Sequence, residues 1–153
     1  MSFTKKAFGL ALLALSDLGQ VNAGIWFGTC PTTTNQANIV LSSYVGTWYE
    51  ATRDWAFAFE TGSSCTTATY TAISGTSSVS VVNRAYYWPL SFTADWITAR
   101  GQANCDAATG ACSVGFPAPK STAANYNILY TDYTSTAVVY SCGSLLWGAM
   151  YWD

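Results

Sequence analysis

The stretch that decides the fold is Gly46-Thr47-Trp48-Tyr49-Glu50, which opens a β-prone run reaching Arg53. Glycine lets the backbone turn tightly where a strand begins. The indole two residues later supplies one large side chain for a core to bury. The stretch therefore predicts the first strand of a β domain, closed at its start by Trp48.

Composition supports the same fold class. The chain has 153 residues, enough for one domain with a sizeable core. Aromatic residues reach 16% and charged residues only 9%. Threonine, tyrosine, valine and tryptophan favour strands, and few glutamates or lysines remain to build helices, so we predict an all-β fold. A formal net charge of -2 and the lack of any basic run argue against nucleic-acid binding.

Residues 1–23 have the pattern of a secretory signal peptide. Lys5 and Lys6 precede the apolar run at residues 7–15, and a small-residue cleavage site ends at Ala23. A membrane anchor is the alternative, but this run is much shorter than the roughly 20 residues that cross a bilayer. We therefore predict a secreted protein whose domain spans residues 24–153, with no membrane-spanning segment after cleavage.

All five cysteines lie in the predicted exported part, where disulfides persist. Cys105 and Cys112 flank a short turn, so a local bridge between them is expected. The sequence has no histidine and no Cys-x-x-Cys pair, and we expect neither a metal site nor a cofactor. Without a histidine or a Gly-x-Ser-x-Gly elbow to activate a nucleophile, we expect no catalytic residues and no enzymatic activity.

Alternating side chains and turn signals predict seven strands, at residues 47–53, 65–73, 78–88, 93–105, 111–116, 126–133 and 136–142. The leader at residues 24–43 is predicted to be irregular. The last two strands carry apolar residues on both faces, which predicts that both faces are covered. No segment after residue 23 has a helical pattern, so we expect a covering helix to lie beyond Asp153.

These residues resemble the lipocalin family. Gly46-x-Trp48-Tyr49-Glu50 is similar to its first signature, and Thr131-Asp132-Tyr133 is similar to its second. The segment 138–142 resembles the seventh strand of the branch that holds apolipoprotein D, bacterial lipocalin and crustacyanin. The structural signature residues of this chain would then be Gly46, Trp48, Thr131, Asp132 and Tyr133.

The resemblance implies an up-and-down antiparallel lipocalin β-barrel of seven to eight strands. The resemblance also implies a final strand and a C-terminal helix, which we expect to lie beyond Asp153. The resemblance implies a Cys30–Cys142 bridge that ties the leader across the closed end of the barrel. It also implies that Cys65, unpaired in this chain, pairs with a cysteine in a further C-terminal segment.

The resemblance further implies a carrier that binds a small hydrophobic ligand inside the barrel: a lipid, sterol, retinoid, carotenoid or tetrapyrrole. Tyr70 and Asn83 match inward residues of that branch, and period-two geometry aims three further side chains inward. Two phenylalanines of an aromatic loop could line the mouth. The candidate ligand-binding residues are Tyr70, Val81, Asn83, Ala85, Tyr87, Phe57 and Phe59. Core packing, or a hydrophobic cap for the loop residues, is the alternative for each.

A second function also fits the composition. An extracellular carbohydrate-binding or adhesion module would be equally rich in serine, threonine and aromatic residues. Such a module would present a row of aromatic side chains on the outside of the barrel. The position of the aromatic residues therefore discriminates between the two hypotheses.

Overall fold

A computed structural model describes residues 2–4, 24–53, 62–87, 95–145 and 149–152. Within these residues the secondary structure is mostly β. In chain order the elements are β1 (Ser2–Thr4), β2 (Ile25–Phe27), α1 (Leu41–Tyr44), β3 (Gly46–Thr52), β4 (Ser63–Ala72), β5 (Ser78–Tyr87), β6 (Asp95–Asp106), β7 (Ala111–Gly115), β8 (Tyr126–Thr131), β9 (Thr136–Ser141), β10 (Gly143–Leu145) and β11 (Met150–Trp152).

Eight of the strands close into an antiparallel barrel in the order β1-β3-β4-β5-β6-β7-β8-β9. From β3 to β9 each strand pairs with its neighbour in sequence, so the chain runs up and down. The predicted all-β, up-and-down barrel of seven to eight strands is confirmed. The observed bounds of the seven predicted strands differ from the predicted ones by no more than two residues at either end.

The eighth position in the barrel is occupied by β1. Ser2 pairs with Thr52 of β3 on one side and with Val138 of β9 on the other. This strand belongs to the segment predicted as a signal peptide, and cleavage after Ala23 would remove it. Cleavage itself stays a prediction.

The prediction that residues 24–43 lack regular structure is wrong in two places. Residues 25–27 form β2, which joins β10 and β11 in a separate three-stranded sheet. All three side chains of β2 are apolar, so β2 shows no alternation in the sequence. It is a strand only because it pairs with β11, which lies far along the chain. Residues 41–44 form α1, so the prediction of no helix after residue 23 is also wrong. A single turn is too short to show helical periodicity.

The barrel end where β3 begins is closed by a buried aromatic pair. Trp48 is completely buried and donates its Nε1–H to the carbonyl oxygen of Tyr44 at 2.8 Å. The two rings stack with their centroids 5.2 Å apart. Gly46 adopts a φ of 117°, which favours glycine, so the turn from α1 into β3 requires that residue.

The turn between β8 and β9 is organised by Asp132. Its carboxylate accepts backbone N–H groups from Thr134, Ser135 and Thr136 at 2.8 to 2.9 Å, and it also accepts the Ser135 hydroxyl. Partial desolvation raises the pKa of Asp132, but these hydrogen bonds outweigh that effect and hold the pKa well below its usual value. Tyr133 takes a φ of 63°, and its hydroxyl accepts the N–H of Val40 at 3.0 Å. The turn therefore docks onto the leader.

Two disulfides are formed. Cys30 bonds to Cys142 and Cys105 bonds to Cys112, as predicted. Cys65 is exposed and forms no disulfide in the described part of the chain.

The Cys30–Cys142 bridge joins the leader to the end of β9, since Cys142 directly follows that strand. The leader then runs along β8, where Gln36 donates its N–H to the Ile128 carbonyl at 2.9 Å. Asn38 next donates its N–H to the Ala108 carbonyl, in the turn between β6 and β7, at 3.1 Å. Main-chain hydrogen bonds therefore hold the leader across the end of the barrel where β3 begins.

Candidate functional site

The barrel contains a cavity of about 850 Å³. Side chains of β4 to β8 line it, together with the loop between β7 and β8, Ser141 of β9 and Trp152 of β11. Apolar and aromatic side chains make up most of the lining. Sites for small organic molecules are concave, mostly apolar and of this size.

The β4–β5 wall carries five of the seven candidate ligand-binding residues. Successive side chains of a strand alternate between its faces, and the alternation of β5 turns one set inward. The candidates that line the cavity are Tyr70, Val81, Asn83, Ala85 and Tyr87. Their contact with a ligand stays a prediction. Phe57 and Phe59 lie outside the described residues.

Three tyrosines meet at the inner part of the cavity. The Tyr126 hydroxyl oxygen lies 3.0 Å from that of Tyr70 and 3.3 Å from that of Tyr44. Burial raises the pKa of Tyr126 well above its usual value, and the two neighbouring phenols raise it further. Burial likewise raises the pKa of Tyr44, with a further rise from Tyr70 and a smaller opposing effect of the hydrogen bond to Tyr126. Tyr44 and Tyr126 therefore stay uncharged phenols.

Sequence reasoning missed Tyr44 and Tyr126 as parts of this site. Tyr126 lies two residues before the buried Ile128, so both share the inward face of β8. That period-two relation was the available signal. Nothing in the sequence pattern marks Tyr44, because its ring enters the site from α1 rather than from a strand.

Three buried polar atoms on the described residues have no hydrogen-bond partner: Thr66 Oγ1, Asn83 Oδ1 and Glu50 Oε1. Thr66 is 7% exposed and lines the cavity, as does Asn83. Thr66 and Glu50 were not predicted as site residues. The available signal for Thr66 was its spacing: it lies two residues before Ala68 and four before Tyr70, so all three share one face of β4.

The positively charged side chains near the cavity are either exposed or already form an ion pair. Arg84 is exposed, and its guanidinium lies 4.9 Å from the centre of the Trp96 ring. Lys120 is also exposed. Arg53 pairs with Glu50 Oε2 at 3.2 Å and donates to Ser63. Among the described residues that line the cavity, Arg84 and Lys120 are the only charged ones.

The described residues lack two further kinds of feature. No group of three or more cysteine, aspartate or glutamate side chains is placed to hold a metal ion. No described helix has the length and apolar character that crossing a membrane requires.

Aromatic side chains also occur on the outside of the barrel, as the carbohydrate-binding hypothesis requires. Tyr86 and Trp96 pack edge to face with their centroids 5.5 Å apart. The guanidinium of Arg84 lies over the Trp96 ring, so that face of the indole is occupied. This pair therefore does not present a row of open aromatic faces.

Comparison with known proteins agrees with the fold. Residues 39–147 match the family model of the lipocalin-like domain. The chain is 32% identical to the Lazarillo protein of Schistocerca americana over 87% of its own length, and it spans 58% of that relative. It is 33% identical to apolipoprotein D of Cavia porcellus over 91% of its length, covering 73% of that protein.

Two solved structures show the same fold. The cockroach allergen Per a 4 superposes with a TM-score of 0.57 at 22% identity, over 82% of this chain and 73% of the allergen. Insecticyanin of the tobacco hornworm Manduca sexta superposes with a TM-score of 0.57 at 18% identity, over 86% of this chain and 68% of insecticyanin. With the family model and both sequence relatives in agreement, the chain belongs to the lipocalin family.

Proposed function

We propose that the protein is a secreted, non-enzymatic carrier that holds a small hydrophobic molecule inside its barrel. The observation that carries this proposal is the cavity of about 850 Å³ with its mostly apolar lining. Membership of the lipocalin family supports the same function.

The binding mechanism is desolvation. Moving about 300 Å² of apolar ligand surface out of water contributes roughly 7 kcal/mol at about 25 cal/mol per Å², before association costs are deducted. An open cavity that exists before the ligand arrives keeps the reorganisation cost low. The wall formed by Tyr70, Val81 and Ala85 would supply the apolar contact.

Secretion is proposed from the N-terminal sequence and the cysteines. Residues 1–23 have a basic start, an apolar run and a small-residue cleavage site. The two disulfides are of the kind that persists in oxidising compartments. Detection of a disulfide-bonded chain in the culture medium, beginning at Gly24, tests this part of the proposal.

The carrier function is tested by filling the cavity. Ala85 is 9% exposed on the inward face of β5, and Ala85→Phe would place a ring where the ligand should lie. We expect the affinity for an apolar fluorescent probe, followed by tryptophan fluorescence, to fall at least tenfold.

The matched control is Thr71→Phe, which adds the same ring at an exposed position of β4. It should leave probe affinity unchanged. Circular dichroism and urea unfolding check that both variants fold. Equal probe affinity in folded Ala85→Phe and in the original chain would contradict binding inside the barrel.

A further inference from the structure

The barrel wall separates between β7 and β8. Within residues 111–131, all of which the structure describes, these two strands pair at only two positions, whereas β5 and β6 pair at ten. β7 continues to Gly115 with no further ladder pair to β8, and the loop at residues 116–125 connects the two strands. The wall therefore has a lateral gap beside the last residues of β7.

A groove of about 540 Å³ lies at this gap. Most of its lining comes from the loop between β7 and β8, and the rest comes from β7, β10 and the Cys30–Cys142 bridge. The residues that line both the groove and the barrel cavity are Val114, Gly115, Phe116, Lys120 and Asn125. These five residues therefore form the partition between the two spaces.

Hydrogen bonds fix the main-chain part of this partition. Asn125 Oδ1 accepts the N–H of Val114 at 2.7 Å, and Asn125 Nδ2 donates to the Val114 carbonyl oxygen at 2.9 Å. The side-chain amide thus satisfies both backbone groups of Val114 where the strand ladder has ended. Phe116 follows the last residue of β7, and its side chain is 45% exposed. The ring of Phe116 is therefore the large apolar part of the partition that these hydrogen bonds do not hold.

The ring of Phe116 rests on Gly101 of β6. A Cβ atom at position 101 would lie 2.5 Å from a ring carbon of Phe116 and 2.4 Å from the carbonyl oxygen of Gly115, so only glycine permits this approach. Gly101 is two residues beyond Ala99, which lines the cavity, and the two positions share one face of β6. The ring therefore stands where a side chain at position 101 would point into the barrel.

The register places this ring beside the candidate ligand-binding residues. Gly101 pairs with Val81 of β5, and Val81 pairs with Tyr70 of β4. Both of these partners line the cavity, as does Phe116 itself. A ligand that contacts Val81 and Tyr70 therefore occupies the same level of the barrel as the ring.

We propose that Phe116 is a specificity-determining residue whose ring closes the gap between β7 and β8, so that the barrel cavity alone limits the length of the carried molecule. This inference rests on the proposed carrier function. The favoured ligand is an apolar molecule compact enough to end at the ring. A chain that needs to continue into the groove is disfavoured as long as the ring is in place.

The test compares three straight-chain probes, decanoate, hexadecanoate and docosanoate, on the 153-residue chain and on Phe116→Ala. Their affinities are measured by displacement of an apolar fluorescent probe. A chain that passes position 116 buries further methylene groups, and each one can raise the affinity by up to about fourfold. We therefore expect Phe116→Ala to bind docosanoate at least tenfold more tightly than the original chain does, and to leave decanoate affinity unchanged.

Two further variants separate closure of the gap from other effects of the ring. Phe116→Leu fills part of the same space and should give a smaller gain for docosanoate than Phe116→Ala. Tyr130→Ala removes an aromatic ring that is 52% exposed on β8 and lies outside both sets of lining residues, so it should give no gain. Circular dichroism and urea unfolding check that each variant folds, and Phe116→Leu carries the test if Phe116→Ala does not.

The outcomes distinguish this inference from the carrier function. An equal change in affinity for all three probes would show that the ring only contacts the ligand, which would overturn the inference and leave the carrier function standing. Unchanged affinities in both Phe116 variants would have the same meaning, as would a matching gain in Tyr130→Ala. Failure of every probe, including the fluorescent one, to bind the original chain would overturn both.

Discussion

Residues of the same type make different hydrogen bonds at different positions in this protein. Threonines dominate the outer face of β4, where Thr69 bonds to Thr47 at 2.9 Å, whereas Thr66 on the inner face has no partner. Two aspartates show the same contrast in turns. Asp132 accepts three backbone N–H groups, and Asp106 accepts one, from Ala108. The environment that the fold supplies therefore decides what each side chain contributes.

The contrast between the two turns predicts how the stability contributed by Asp132 depends on pH. The pKa of Asp132 is lowered in the folded state by its hydrogen bonds, so the carboxylate stabilises the fold above the unfolded-state pKa near 4. That contribution is lost as pH falls through the lower folded-state pKa. At pH 7, Asp132→Asn should lower the free energy of unfolding by about 1 kcal/mol, a modest value because the carboxylate is only partly buried and water screens its charge.

Urea unfolding at pH 7, 4 and 3 measures this effect. The difference between Asp132→Asn and the original chain should narrow from pH 4 downward. Asp106→Asn serves as the control and should cost less at pH 7, since a single backbone N–H loses its charged acceptor. A cost for Asp132→Asn that does not change with pH would contradict the role assigned to the charge.

Among the elements, the leader is the one that joins otherwise distant parts of the barrel. It is bonded to the end of β9 by Cys30–Cys142, hydrogen-bonded along β8, and it delivers Tyr44 to the closed end through α1. The hairpin of β6 and β7, by contrast, is held by a strand register as well as by Cys105–Cys112. Loss of the leader bridge therefore frees more chain than loss of the hairpin bridge.

The two disulfides should differ in their contribution to stability. The Cys30–Cys142 bridge spans 112 residues and the Cys105–Cys112 bridge spans 7. The chain-entropy model assigns them about 5 and about 2 kcal/mol. We expect the double variant Cys30→Ala, Cys142→Ala to lower the free energy of unfolding by more than the variant Cys105→Ala, Cys112→Ala, as measured by urea unfolding under oxidising conditions.

The hairpin variant is the internal control, because it also removes two sulfurs from the chain. Equal losses for the two double variants would show that loop length does not govern their stability. A larger loss for the hairpin bridge would indicate that the hairpin, rather than the leader, limits unfolding.

At the scale of the whole molecule, the barrel closes through a narrow seam. The neighbours β4, β5 and β6 pair over eight to ten residues, whereas β1 offers only three residues to β3 and to β9. Edge strands present unpaired backbone groups that favour new partners. Closure of the barrel between β3 and β9 therefore depends on whether residues 2–4 are present.

Removing residues 1–23 should expose this seam. In the 24–153 chain, the amides of β3 and β9 that face β1 lose their partners, and their hydrogen exchange should be faster than in the 1–153 chain. The amides between β5 and β6 should exchange at the same rate in both chains. Hydrogen-exchange mass spectrometry measures this difference. Unchanged protection of β3 and β9 would show that β1 does not close the barrel in solution.

Much of the barrel can be predicted from local sequence. Local features predict the strands, the face that each side chain lies on and the strand ends, because their chemistry acts over a few residues. These features are the alternation in β4 and β5, the glycine before Trp48 and the Thr131-Asp132-Tyr133 turn. The inward facing of Tyr70, Val81, Ala85 and Tyr87 follows from the same period of two. These features could be predicted because backbone geometry fixes them without distant partners.

Other features required contacts between segments far apart in the chain. β2 is a strand only because β11 pairs with it, and Tyr44 enters the site only because α1 folds over the barrel end. The unpartnered state of Thr66 and Asn83 depends on which atoms the neighbouring strands bring near them. The sequence by itself thus determined the strands and the two faces of each. Tertiary structure alone decided which buried polar atoms are left without a partner, since hydrogen-bond satisfaction depends on distances between strands.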